Sequence, residues 1–329
     1  MGVNFRWLIN ASLLALPVGV TVGVLIGVDS HRHATGQAPI FTQPVGGPGT
    51  DGSVGGGNGN KNDNRVKIDL RCGLQDATTP PSAGVKYQMN PNQWGFTADT
   101  RGAMCMNVTS FNNGTYSSPS AAPPFTVTWA YAPGPATAPV HAFPNVQVIT
   151  DLPMPLSNAK SINIGTRWTY GVGNTPVEKT DEAAMTANAA NTNVAIDMFL
   201  DPNSKTAENS SLAAFEVMVW LGRFGTAAEV IGEKNGIIAT ESINGTTFNL
   251  YTGQNSLKQN VLTWLAFGGI QETFYGDIRA LIDKLDTVPQ AKFTSSSLYL
   301  GHLGMGSEAF SATNNVTLSM PYLSVDIGN

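Results

Sequence analysis

Phe215-Glu216-Val217-Met218-Val219-Trp220-Leu221 is the stretch from which the fold can be read. Side chains alternate across a strand. Phe215, Val217, Val219 and Leu221 therefore share one wholly apolar face, which belongs in a core. Glu216, Met218 and Trp220 share the other. A strand that merely touches water would carry several polar groups there. This one sets a single carboxylate among large apolar side chains, as the floor of a sugar-binding cleft would. The same two-residue period runs through residues 125–129, 161–164, 193–200 and 247–251, with Asn-Gly, Pro-Gly and Gly-Gly breaks between many such runs. Short alternating strands separated by turn residues predict an all-β sandwich of two antiparallel sheets. One segment departs from this period. After Gly276 and Asp277, Ile278, Leu281, Ile282 and Leu285 fall at helical spacing, and Asp277 stands where it can cap the start. One short amphipathic helix packed on the sandwich is expected.

A second carboxylate lies in a similar setting. In residues 299–310 the even positions are His302, Gly304, Gly306, Glu308 and Phe310. The two glycines are expected to flatten the surface beside Glu308 and leave room for a ligand. Paired carboxyls suit the cleavage of a glycosidic bond: one acid protonates the leaving oxygen while one carboxylate attacks or stabilises the sugar. Their surroundings must push the two pKa values apart.

The rest of the chain narrows the class. Charged residues make up 12% of its 329 residues, about half the usual share, and the net charge is −5. No basic run is present, so nucleic acid is not an expected partner. Residues 7–28 form an apolar stretch preceded by Arg6. Its length suits a membrane tether, while its place at the N-terminus suits a signal peptide. Both readings put the remainder outside the cytosol, secreted or held at the cell surface. Residues 34–64 are rich in Gly, Asn and Pro and are expected to be a disordered linker that buries no core. The expected layout is residues 1–33 as signal or anchor, 34–64 as linker and 65–329 as a catalytic sandwich. Cys72 and Cys105 are the chain's two cysteines, and export makes them a structural disulfide. Glycosylation sequons begin at Asn107, Asn113, Asn209, Asn244 and Asn315. The four histidines show no metal-ligand spacing, and there is no Gly-x-Ser-x-Gly elbow. Neither a metal nor any other cofactor is expected.

Several blocks resemble glycoside hydrolase family twelve, the endo-β-1,4-glucanases and xyloglucanases. Glu216 to Leu221 is similar to that family's Glu-hydrophobic-Met-hydrophobic-Trp-Leu block, and Gly306-Ser307-Glu308-Ala309-Phe310 to its Gly-Thr-Glu-x-Phe. Asn92-Gln93-Trp94-Gly95, Phe143-Pro144-Asn145, Ile196-Asp197-Met198-Phe199 and the tract 247–253 resemble further blocks, in order. The likeness runs from about residue 70 to the end. It implies a jelly-roll sandwich with a concave cleft and a retaining mechanism. Glu216 would be the nucleophile, Glu308 the general acid and then base, and Asp197 a hydrogen-bonding support of Glu216. Asn92, Trp94, Phe143, Met218 and Trp220 would meet the substrate, a β-glucan of plant-cell-wall type, with the enzyme acting as a monomer. Residues 228–232 lack the family's Pro, and Gly304 stands where a polar residue is common. A xyloglucan-specific enzyme is one alternative, and a jelly-roll xylanase is a rival the Glu216 block argues against. A non-catalytic glycan-binding or surface-recognition module is another alternative, although it would not need both glutamates.

Overall fold

The computed structural model describes residues 66–329. The apolar stretch 7–28 and the linker 34–64 lie outside the described residues. One sheet has six strands in the order β1 (Val66–Arg71), β3 (Gly102–Phe111), β4 (Phe125–Tyr131), β16 (Val316–Gly328), β7 (Ser161–Val172) and β13 (Thr273–Asp277). The second has ten. β10 (Ala239–Ile243), β11 (Thr246–Gln254), β12 (Asn260–Ala266), β9 (Phe215–Phe224), β8 (Asn191–Asp201), β14 (Tyr299–Gly306), β5 (Asn145–Val148) and β2 (Tyr87–Asn90) run across it, with β15 (Ala309–Ser311) on β8 and β6 (Met154–Pro155) on β14. The architecture is the expected jelly-roll sandwich. One pairing departs from the antiparallel rule: β9 and β12 run parallel, because the β10–β11 hairpin intervenes between them.

Alternation places the core where the sequence put it. Val217, Val219 and Leu221 of β9 are fully buried against residues of the six-stranded sheet such as Trp129, Trp168 and Tyr170. β8 interleaves with the same period. Val194, Ile196 and Met198 enter the core, and Asn193, Ala195, Asp197 and Phe199 turn to the outer face of the ten-stranded sheet. Register then sets that outer face in rows. His302, Phe199 and Glu216 stand side by side; Gly304, Asp197 and Met218 form the next row; Gly306, Ala195 and Trp220 form the third.

The expected helix is present as Arg279–Leu285, with Leu281, Ile282 and Leu285 buried. The Asp277 carboxylate accepts from Arg279 N at 2.9 Å and from Ile162 N at 2.8 Å, so it fixes the helix start and ties it to β7. Two further helices, Glu182–Ala187 and Ser204–Ala207, were not anticipated. Both are too short to show a helical period, and each starts on a side-chain cap, from Asp181 and Asn203. Cys72 and Cys105 are bonded, joining the end of β1 to β3. Closing a loop of that length stabilises the fold by about 3–4 kcal/mol through the unfolded chain's lost entropy.

Truncating Val217 to Ala should cost about 2–3 kcal/mol in urea unfolding, since it leaves a cavity between the sheets. The Glu216→Gln change one residue away should cost far less. Equal losses would mean that β9 does not present its odd positions to the core.

Candidate active site

Three carboxyl groups gather on the outer face of the ten-stranded sheet. Asp197 sits on β8, Glu216 on the neighbouring β9, and Glu308 in the two-residue step between β14 and β15. Asp197 is buried; Glu216 and Glu308 are half-buried. Asn193 grips Glu308 twice. Its Nδ2 donates to Glu308 Oε2, and its Oδ1 accepts the Glu308 backbone N–H at 2.8 Å. Glu216 is held from the other side, by Asn255 Nδ2 donating to its Oε2 at 3.0 Å. Ser307, buried beside Glu308, is fixed in the sandwich interior by Thr192 Oγ1 and the Tyr170 hydroxyl.

The electrostatics follow from crowding like groups where water is scarce. Burial pushes Glu308 up to about 8, with the Glu216 charge adding to the rise and the Asn193 hydrogen bond opposing it. Burial raises Glu216 to about 7, against the pull of Asn255. Asp197 is held well above the usual carboxylate range by burial first, then by the charges of Glu216 and Glu308. The site therefore orders its protons. Glu216 is the more readily ionised of the two glutamates, and Glu308 keeps its proton longer. His302, packed edge to face on Phe199 at 5.5 Å, is lowered to about 4 by burial and stands as neutral imidazole.

Several expectations need revision. Asp197 was expected to hydrogen-bond near Glu216. Its Oδ1 instead has no hydrogen-bond partner, and Asn255 supplies the contact. Met218 and Trp220 do not form an open sugar-binding floor. They keep 5% and 3% of their surface, because Val230 from the segment after β9 packs with them and Tyr251. That segment is pinned by the Arg223–Glu233 ion pair at 2.6 Å and by Ala228 against Val140 and Phe310. Phe143 is also buried, and its N–H holds the Asn92 carbonyl at 3.0 Å. Gly306 does not make room for a ligand: a Cβ there would lie 2.1 Å from the Pro144 carbonyl oxygen. A Cβ on Gly304 would meet the His302 ring at 3.1 Å, so that ring occupies the space expected for a ligand. Trp94 does stand in a loop beyond β2 with 56% of its surface open, and Asn92 beside it is half-buried with φ 45°.

Sequence reasoning missed Asn193 and Asn255. Asn193 was recoverable, because it shares the alternating face of β8 with Asp197. Asn255 follows the last residue of β11 and has no periodic signal. Among the described residues no three His, Cys, Asp or Glu side chains gather as a metal would need.

Paired glutamates with separated proton affinities, on one face of a jelly-roll sheet, are the working parts of a glycoside hydrolase. Residues 85–328 match the family model for Glycosyl hydrolase family 12, and the chain belongs to that family. A probable xyloglucan-specific endo-beta-1,4-glucanase A of Aspergillus fumigatus is 30% identical over 230 residues, 70% of this chain and 82% of that protein. The xyloglucan-specific endo-beta-1,4-glucanase A of Emericella nidulans is 28% identical over 256 residues, 78% of this chain and 90% of that protein. Among solved structures, endoglucanase 3 of Trichoderma harzianum superposes with a TM-score of 0.61 at 22% identity, over 80% of this chain and 98% of that one. The catalytic domain of Humicola grisea Cel12A gives 0.61 at 19% identity, over 79% and 99%. At these identities the two structures speak for the fold.

The raised carboxyls carry a cost in stability whose sign is fixed by linkage. The folded protein holds Glu308's proton from its usual 4.5 up to about 8, so the stability present below pH 4.5 is lost as pH rises through 8. Glu308→Gln removes that loss. Its melting temperature should exceed the parent's by a margin that grows from pH 4.5 to pH 8. A constant margin would contradict the assigned environment.

Proposed function

We propose that this family 12 chain cuts β-1,4-linked glucan within the polymer, by double displacement, with Glu216 as nucleophile and Glu308 as acid and then base. The observation that carries the proposal is a pair of glutamates on one sheet face, each gripped by its own asparagine, in buried surroundings that raise both carboxyls. Ionised Glu216 attacks the anomeric carbon while Glu308 gives its proton to the departing oxygen. The glycosyl-enzyme bond consumes the Glu216 charge. Glu308 then loses the share of its raised proton affinity that came from the Glu216 charge, ionises, and takes a proton from the attacking water. Asn255 aims the nucleophile and favours its ionised form. Asp197, whose proton affinity burial and the two glutamate charges raise, resists becoming a third negative charge. Trp94 offers an open ring face for a sugar, with Asn92 beside it; Met218, Trp220 and Phe143 act beneath the contact surface, as packing.

Among glucans, the curated relatives favour xyloglucan, since those at 28–30% identity are named for it. Reducing-sugar release from linear glucan, mixed-linkage glucan and xyloglucan tests this, with xyloglucan expected fastest. Export is supported by the Cys72–Cys105 bond. Among the described residues no helix is long and apolar enough to cross a membrane. A tether through residues 7–28, and the division into segment 1–33, linker 34–64 and catalytic unit 65–329, stand as part of this proposal.

Replacing Glu308 by Gln should slow polymer hydrolysis about 10²–10⁴-fold while sparing an aryl glycoside whose leaving group needs little protonation. Glu216→Gln should abolish turnover of both. NMR of the first product should show the retained anomer; an inverted one rejects double displacement.

The pH profile of kcat/KM should be bell-shaped, rising as Glu216 ionises near 7 and falling as Glu308 ionises near 8. The Asn255 hydrogen bond lowers the Glu216 value. Asn255→Ala should thus move the acid limb to higher pH and leave the alkaline limb in place. An unmoved acid limb would remove Asn255 from the reaction.

A further inference from the structure

The face of the six-stranded sheet that looks away from the core carries an aromatic surface that the catalytic site does not use. Register builds it. Tyr275 of the edge strand β13 is opposite Gly165 of β7, and Gly165 is opposite Ser324 of β16. In the next row Arg167 lies between Thr273 and Tyr322. The inward neighbours Ile164, Phe274, Leu323 and Val325 are all in the core, so Tyr275, Arg167 and Tyr322 point outward. Their rings lie side by side, with centroids 6.1 Å apart and planes 39° apart. Gly165 permits this. A Cβ there would stand 3.1 Å from the Tyr275 ring and 3.2 Å from that of Tyr322, so both rings settle over its bare backbone. The Arg167 guanidinium carbon lies 5.6 Å from the centre of the Tyr322 ring.

Burying aromatic surface is worth more than leaving it wet, yet Tyr275 keeps 50% of its surface exposed at the sheet edge. Among the described residues, the Arg167 guanidinium and both tyrosine hydroxyls make no side-chain hydrogen bond or ion pair with protein. Two adjacent tyrosine rings rimmed by unpartnered donors suit a ligand with a flat, CH-rich face and hydroxyls around its edge. A pyranose ring of a glucan chain has that shape and polarity. A lone arginine is too little charge for a polyanion.

We propose that Tyr275, Tyr322 and Arg167 form a second, non-catalytic glucan-binding site on the sheet opposite the cleft. The choice of glucan rests on the function proposed above. A chain held there keeps the polymer at high local concentration for the cleft, without taking part in bond cleavage.

The test uses the full-length protein carrying Glu216→Gln, run in native gels with and without soluble xyloglucan or mixed-linkage glucan. It is compared with the same protein also carrying Tyr275→Ala and Tyr322→Ala. Losing the aromatic contacts should weaken retardation about 2- to 10-fold. Tyr275→Ala alone, the more exposed position, should give part of that loss, and it serves if the double change harms folding. In the Glu216 background the same tyrosine changes should leave aryl-glycoside hydrolysis and melting temperature at parental values. Equal retardation of all variants overturns the second site while leaving the proposed function intact. Failure of the parent enzyme to hydrolyse any of the glucans overturns the function instead. Loss of aryl-glycoside hydrolysis in the tyrosine variants would also overturn the proposal, since it would mark the pair as structural support of the catalytic site.

Discussion

The burial of three neighbouring carboxyls on one face of a sheet is the constraint on which the site depends. Glu216, Asp197 and Glu308 cannot all be charged in surroundings this poor in water. Among the described residues, burial, the neighbouring carboxyls and the hydrogen bonds of Asn193 and Asn255 act on these groups, so the balance is struck through protons. Asn255 tips Glu216 toward ionisation, and Asn193 moderates Glu308 without cancelling the rise. Asp197 is left with a buried oxygen that has no partner. Such an arrangement is unfavourable for stability, and it persists because the opposite face of the same strands is a continuous core. Val217, Val219, Ile196 and Met198 hold the strands that carry the acids.

This two-faced strand explains why so much was legible. The run from Phe215 to Leu221 fixes its own orientation, since a shift of one residue would bury Glu216 and expose three aliphatic side chains. The helix after Asp277 was legible for a similar reason, with four apolar residues at helical spacing and a cap. What the residues could not reveal is what lies over a face. Met218 and Trp220 point outward as alternation requires, yet Val230 covers them from a segment without periodicity. The glycines near Glu308 misled for a related reason. Absence of a side chain was read as open space, whereas at Gly306 it answers a close approach by the Pro144 backbone.

The covering segment also changes how the departure from the family pattern is understood. Residues 228–232 lack the usual Pro, and a looser loop would be one consequence. The structure ties the segment down by other means. Glu233 bridges Arg223 and the Val230 N–H, and Ala227 N–H reaches Asn191 Oδ1 at 2.8 Å. Asn191 lies on β8 two positions before Asn193, which grips Glu308. The cover and Glu308 are therefore both tied to asparagines of one strand.

Glu216 has an equivalent arrangement at the other end of the site. Asn255 lies in a loop, where a hydrogen bond to Glu216 would drift if the loop were free. It is not free. Asn255 Oδ1 accepts the N–H groups of Leu257 and Gln259, and buried Gln259 donates to the carbonyls of Ser210 and Ala213 at 2.9 and 2.7 Å. Asn260 N–H in turn meets the Ala214 carbonyl at 3.0 Å. Residues 210–214 lead directly into β9 and Glu216. The carboxylate and its asparagine are thus anchored to the same short segment, one through the chain and the other through Gln259. Their separation is therefore set within one short stretch of chain. A loop residue without any periodic signal in the sequence can hold a carboxyl group accurately when its own anchor is a buried amide.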